Sequence, residues 1–120
     1  MKKMKKTNPN LMELINGLKE KARDNEAPIW RDVARRLEGP SRNWAEVNVS
    51  KVSRYAEDND TIVIPGKLLG AGEIDKKVTI AVYSASRKAV NKVESAGGKV
   101  IGVLELAGTN PKGSGVRIMR

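Results

Sequence analysis

Ile62-Val63-Ile64, Pro65-Gly66-Lys67-Leu68-Leu69-Gly70-Ala71-Gly72, Val78-Thr79-Ile80-Ala81-Val82-Tyr83 and a helical run over 87–96 closed by Gly97-Gly98 follow one another in the central stretch 62–99. Short apolar runs rich in Ile and Val, bounded by turn residues, read as buried strands. The glycine-studded segment 65–72 reads as a turn, and a glycine pair is a fitting helix stop. Strand, turn, strand and helix make one α/β unit. Lysines and arginines stand at almost every one of its turns, as on a scaffold that presents positive charge to an anionic partner.

Upstream, Asn10 is a fitting cap for a helix over 11–24, with Leu11, Leu14, Ile15, Leu18 and Ala22 as its apolar stripe. A second helix over 28–37 starts on Pro28, turns Trp30, Val33, Ala34 and Leu37 inward, and stops at Gly39-Pro40. Arg31, Arg35 and Arg36 project from its other faces. In the linker, Arg42 stands near Trp44, an aromatic that either stacks on a base or packs. Residues 47–52 alternate as a short strand, or else Ser50 caps a helical turn through Tyr55. Glu57-Asp58-Asn59-Asp60 is an acidic turn. Downstream, 99–103 reads as a third buried strand, 105–110 as a turn or single helical coil, and Val116-Arg117-Ile118 as an edge strand with one apolar face.

The 120 residues carry 23 basic and 14 acidic groups, a net charge of +9, with no histidine and no cysteine. The excess is spread over both halves of the chain, and nucleic acid is the partner that best offsets it. Without cysteine there is no disulfide, thiolate metal site or cysteine nucleophile, and without histidine the usual general base and zinc ligand are missing. Residues 1–8, with Lys2, Lys3, Lys5 and Lys6, read as a flexible basic arm, either a solubilising tail or a strand that threads into an RNA crevice. Residues 9–120 read as a single domain, helical over 9–39 with an α/β core over 47–120. The longest uncharged run is the nine residues 78–86, far short of a membrane span. A soluble intracellular chain is expected.

Glycine beside lysine raises the question of a nucleotide site. Gly66-Lys67 is followed by Leu68 rather than Ser or Thr, and Gly70-Ala71-Gly72 does not open onto a helix, so both phosphate-loop patterns fail. No carboxylate pair marks acid–base chemistry. Neither cofactor nor small-molecule substrate is expected. The cations have a simpler use. Lys67, Lys76, Lys77 and Lys112 flank glycine turns whose backbone amides suit a phosphodiester. Arg87 and Lys88 fill the first turn of the 87–96 helix, where cations oppose the dipole unless an anion binds there. Lys51, Arg54, Arg117 and Arg120 complete the candidate RNA contacts. Sparse aromatics favour recognition of folded RNA by backbone and shape. On charge alone, a free nucleic-acid-binding regulator or chromatin-like protein is the other reading.

Three segments point further: Ile64 to Gly72, Ala96-Gly97-Gly98-Lys99-Val100, and Asn110-Pro111-Lys112-Gly113-Ser114-Gly115-Val116-Arg117-Ile118-Met119-Arg120. Together, and in their spacing, they resemble ribosomal protein eighteen-e of the large subunit. That family, of archaea and eukaryotes, shares its central domain with bacterial large-subunit protein fifteen. The likeness runs over residues 8–120, and the compact length fits the archaeal type. The resemblance implies an α/β fold of irregular ββα superhelical turns behind N-terminal helices. It also implies contacts with large-subunit ribosomal RNA and neighbouring ribosomal proteins, a cytoplasmic place on the ribosome, and a structural role without catalysis.

Overall fold

The structure, a computed structural model, describes residues 9–120. Helices α1 (Pro9–Asn25) and α2 (Pro28–Glu38) form an antiparallel hairpin. Leu11, Ile15, Leu18 and Ala22 of α1 face Trp30, Val33, Ala34 and Leu37 of α2, and all eight are buried. The link is two residues long. Glu26 takes φ 50° and the Ala27 amide donates to Ala22 O, which turns the chain straight back. The helix opens on Pro9 rather than Leu11, so Asn10 lies inside the first turn and is not the cap expected of it. A proline suits that opening position because its missing N–H has no partner there in any helix.

After Gly39-Pro40 a 3₁₀ turn (Ser41–Asn43) leads into β1 (Ala45–Asn48) and then α3 (Val49–Tyr55). The strand reading of 47–52 holds only to Asn48, and the helical turn through Tyr55 forms but begins at Val49 with Asn48 in the cap position, so Ser50 lies inside it and is not its cap. Alternation ends at Asn48, while Val49 and Val52, three residues apart, are buried along one side of a helix. The remaining elements are β2 (Thr61–Leu69), β3 (Thr79–Ala85), α4 (Arg87–Ser95), β4 (Lys99–Gly102), α5 (Val103–Thr109) and β5 (Val116–Ile118). The sheet is parallel throughout, in the order β1-β2-β3-β4. β5 pairs with the start of β2, on the edge whose far end pairs with β1. The class is mixed α/β, as expected, and β2, β3 and α4 form one ββα succession.

Three sequence expectations need correction. Residues 65–69 are not a turn: β2 runs through them, with a bulge between Ile64 and Lys67 before pairing with β3 resumes at Lys67–Ser84. The bulge absorbs Pro65, which has no amide to give a ladder. Gly66 is there for a different reason: a Cβ on it would meet Ala45 O at 2.0 Å, so β1 can lie alongside only because the side chain is absent. Gly66→Ala is expected to cost about 1–3 kcal/mol through forced separation of β1 from β2. Urea unfolding measures it, and an unchanged midpoint would contradict this account. The strand over 99–103 is shorter than expected and only half-buried, because β4 is the sheet's edge and Val103 already belongs to α5. Of the turn and the single helical coil expected over 105–110, the helical alternative holds, but as part of the longer α5, with Gly108 exposed within it.

Adjacent strand residues serve opposite faces. Ile62, Ile64, Ile80 and Val82 pack under α3, α4 and Ile74 of the β2–β3 connection. Val63 and Ala81 pack on the other face against α1, α2 and α5. Trp30, wholly buried, donates from Nε1 to Pro111 O at 2.8 Å and so ties the hairpin to the C-terminal segment.

Candidate nucleic-acid interface

On α2 the apolar face is consumed by the core, which leaves Arg31 and Arg35, four residues apart, together on the solvent side. The hairpin brings α1's Lys19 and Arg23 beside them. A groove of about 370 Å³ between the helices is lined by these four cations and one carboxylate, Glu38. Lys19 pairs with Glu38 at 2.6 Å, and Arg23 lies 3.8 Å from its exposed neighbour Asp24. Arg31 and Arg35 have no carboxylate partner among the described residues. Arg36, one residue on, donates from Nε to Asp32 at 3.2 Å.

A second basic group stands at the carboxyl edge of the sheet. Lys67 is exposed there, in register with Ser84 of β3 and Glu46 of β1. Ser86 caps α4, accepting from the Ala89 amide at 3.2 Å, and Arg87 and Lys88 stand exposed in the first turn with no acidic residue among them. Of the two serines weighed as caps, Ser86 is the one.

Several other cations expected at an RNA surface have internal partners. Lys76 donates to Ser53 O at 2.8 Å and Ala56 O at 3.1 Å, closing the last turn of α3, whose carbonyls would otherwise lack donors. Lys51 donates to the main-chain oxygen of Arg120. Arg117 bridges Asp60 at 3.0 Å and Tyr55 O at 3.2 Å. Arg54 lies over the ring of Tyr55, 5.8 Å from its centroid. Lys77, Lys112 and Arg42 are exposed; Arg120 lines a cleft with Arg35 and Arg36. Lys2, Lys3, Lys5 and Lys6 lie outside the described residues.

Lys19 and Arg23, which line the same groove, are not singled out by the sequence, since on α1 alone they look like ordinary dipole-complementing charges. The signal was the two-residue link, which forces the hairpin and sets α1's cations against those of α2. Also missed was Lys92, whose ammonium donates to Gly70 O at 3.0 Å and to Gly72 O, pinning the β2–β3 connection to α4. No charged residue is buried among the described residues, and no group of three or more carboxylates converges there as a metal site would require. What the arrangement offers is an anion-binding surface.

Residues 46–101 match the family model of the ribosomal proteins 50S-L15 and 50S-L18e and their 60S member. The large ribosomal subunit protein eL18 of Methanococcus maripaludis is 52% identical over 119 residues, covering 99% of either chain. Its namesake in Methanoregula boonei is 51% identical over 117 residues, 98% of this chain and 97% of that one. The chain belongs to the eL18 family. The eL18 protein of Archaeoglobus fulgidus, 52% identical over 116 residues, covers 97% of this chain. The family-model match runs from β1 to β4 through α3 and α4 and leaves out β5, whereas the eL18 relatives run across the α1–α2 hairpin and the C-terminal segment as well. Both basic groups thus lie in parts shared with eL18 proteins, and the resemblance drawn from the three glycine-bearing segments holds. An eL18-family chain is a ribosomal protein of the large subunit.

Proposed function

We propose that this chain is a structural constituent of the large ribosomal subunit that holds folded ribosomal RNA by its phosphates. The observation that carries the reading is the pair Arg31 and Arg35, without carboxylate partners in a groove they share with Lys19 and Arg23. Exposed guanidiniums crowded this way repel one another until an anion enters, and their planar forks match phosphate oxygens. Arg87 and Lys88 form a second phosphate seat at the carboxyl ends of the strands, where α4's N-terminal amides add to the field, and Lys67 contributes charge from the end of β2. The chain acts without catalysis, in the cytoplasm on the ribosome, beside neighbouring ribosomal proteins. Lys2, Lys3, Lys5 and Lys6 contribute charge toward the same polyanion.

Arg87→Glu combined with Lys88→Glu is expected to weaken association with large-subunit RNA while the urea midpoint of the free protein stays the same or rises slightly, since carboxylates suit the first turn of α4. Salt titration of binding reads the effect, with each lost phosphate contact flattening the affinity–salt slope by roughly 0.7 to 0.9. Normal assembly of the double mutant into large subunits would remove α4 from the interface.

A further inference from the structure

Where α2 ends, the chain stops at Gly39-Pro40, turns through Ser41–Asn43 and enters β1, and this path leaves a cleft of about 250 Å³. Its lining combines Arg35, Arg36 and Arg120 with Asn43, Trp44 and Pro65. Trp44 is half-buried and fixed at two points: Nε1 donates to Gly39 O at 3.2 Å, and its ring meets Tyr83 edge-on at 4.9 Å and 71°. Pro65, buried in the bulge of β2, also lines the cleft. Arg36 uses Nε for Asp32, which leaves its terminal nitrogens available, and the side chains of Arg35 and Arg120 have no carboxylate partner among the described residues.

We propose that this cleft takes a single unpaired nucleotide extruded from the RNA, a step that rests on the RNA-binding reading above. A bare phosphate would need the arginines alone. An indole and a proline ring beside them add an apolar wall of the kind that receives a planar base. The exposed amide of Asn43 supplies one donor group and one acceptor to the base edge. A base pair within a duplex cannot enter, since its edges are committed and its faces stacked. Arg35 lines both this cleft and the α1–α2 groove, so a strand whose phosphates follow the groove arrives at the cleft. The wall is already ordered by Trp44's two contacts, so binding requires little rearrangement of the protein.

The chain has two tryptophans, and Trp30 is wholly buried, so a change in indole emission on binding reports Trp44. Five RNA hairpins serve as probes with the full chain: one fully paired, and four with one bulged A, C, G or U in the same stem. At least one bulged hairpin is expected to bind about tenfold tighter than the paired one and to quench Trp44. Trp44→Phe abolishes the quenching. Asn43→Ala, a surface change that tests the cleft without touching the indole, removes the preference for a bulge and leaves the paired hairpin's affinity as it was. Equal affinity and equal emission for all five hairpins overturns the cleft proposal while the RNA reading stands. Failure of every hairpin to bind at low salt overturns both.

Discussion

Arg31→Glu together with Arg35→Glu is expected to lower affinity for large-subunit ribosomal RNA by about twentyfold at physiological salt. Each phosphate contact contributes roughly 0.7 to 0.9 to the slope of log affinity against log salt, which near 0.15 M amounts to about four- to fivefold per contact from counterion release. Two lost contacts multiply to the figure given, and the introduced carboxylates add repulsion to it. The slope itself should flatten by about 1.5. Stability should change little, because both side chains are exposed and the two new carboxylates repel across the same four residues as the two guanidiniums they replace. Filter binding over a salt series gives both numbers. An unchanged slope would mean that the groove between α1 and α2 faces something other than RNA.

Trp30→Ala is expected to be the most damaging single substitution to the fold, at about 3–5 kcal/mol. The indole is wholly buried between α2 and the rest of its core, and its removal leaves a cavity that helices pinned at a two-residue link cannot close. It also strips Pro111 O of its donor, so the segment leading to β5 loses an anchor 81 residues distant in sequence. Against a total of about 5–15 kcal/mol for a domain, that loss takes a large share. Trp30→Phe separates the two contributions: it keeps most of the apolar volume and loses only the hydrogen bond, for about 1–3 kcal/mol. Chemical unfolding of the two variants decides. Equal stability of wild type and Trp30→Ala would place the hairpin outside the cooperative fold.

Helices α1, α2 and α4 were legible because their apolar residues recur at helical spacing, and the buried strands because Ile62-Val63-Ile64 and residues 78–82 are continuous apolar runs; α3 and α5, seven residues each, are too short for a period to show. The course of β2 through Pro65-Gly66 was not. Those residues carry turn chemistry, and only the approach of β1 at Ala45 explains why they lie in a strand. β4 was overestimated because its apolar residues look the same at an edge as at a centre.

The interface was read by charge, and charge alone does not tell a phosphate ligand from a carbonyl ligand. Lys76 beside Lys77 is a case in point: one closes α3 from within and the other is exposed. Separating them requires the tertiary position of α3's last turn, a contact more than twenty residues back along the chain. The α4 cap could be narrowed to Ser84 or Ser86 from sequence, but the choice depends on where β3 ends. Arg31 and Arg35 were visible as candidates, and their lack of partners was not, since Asp32 and Glu38 were equally near in sequence and turned to Arg36 and Lys19 instead.

The most direct test of the structural reading is sedimentation of a cell lysate through a sucrose gradient at moderate salt, with every fraction probed for this chain. Signal is expected only in large subunits and whole ribosomes, at close to one copy each. Signal mostly at the top of the gradient would contradict the structural reading and indicate a free nucleic-acid binder.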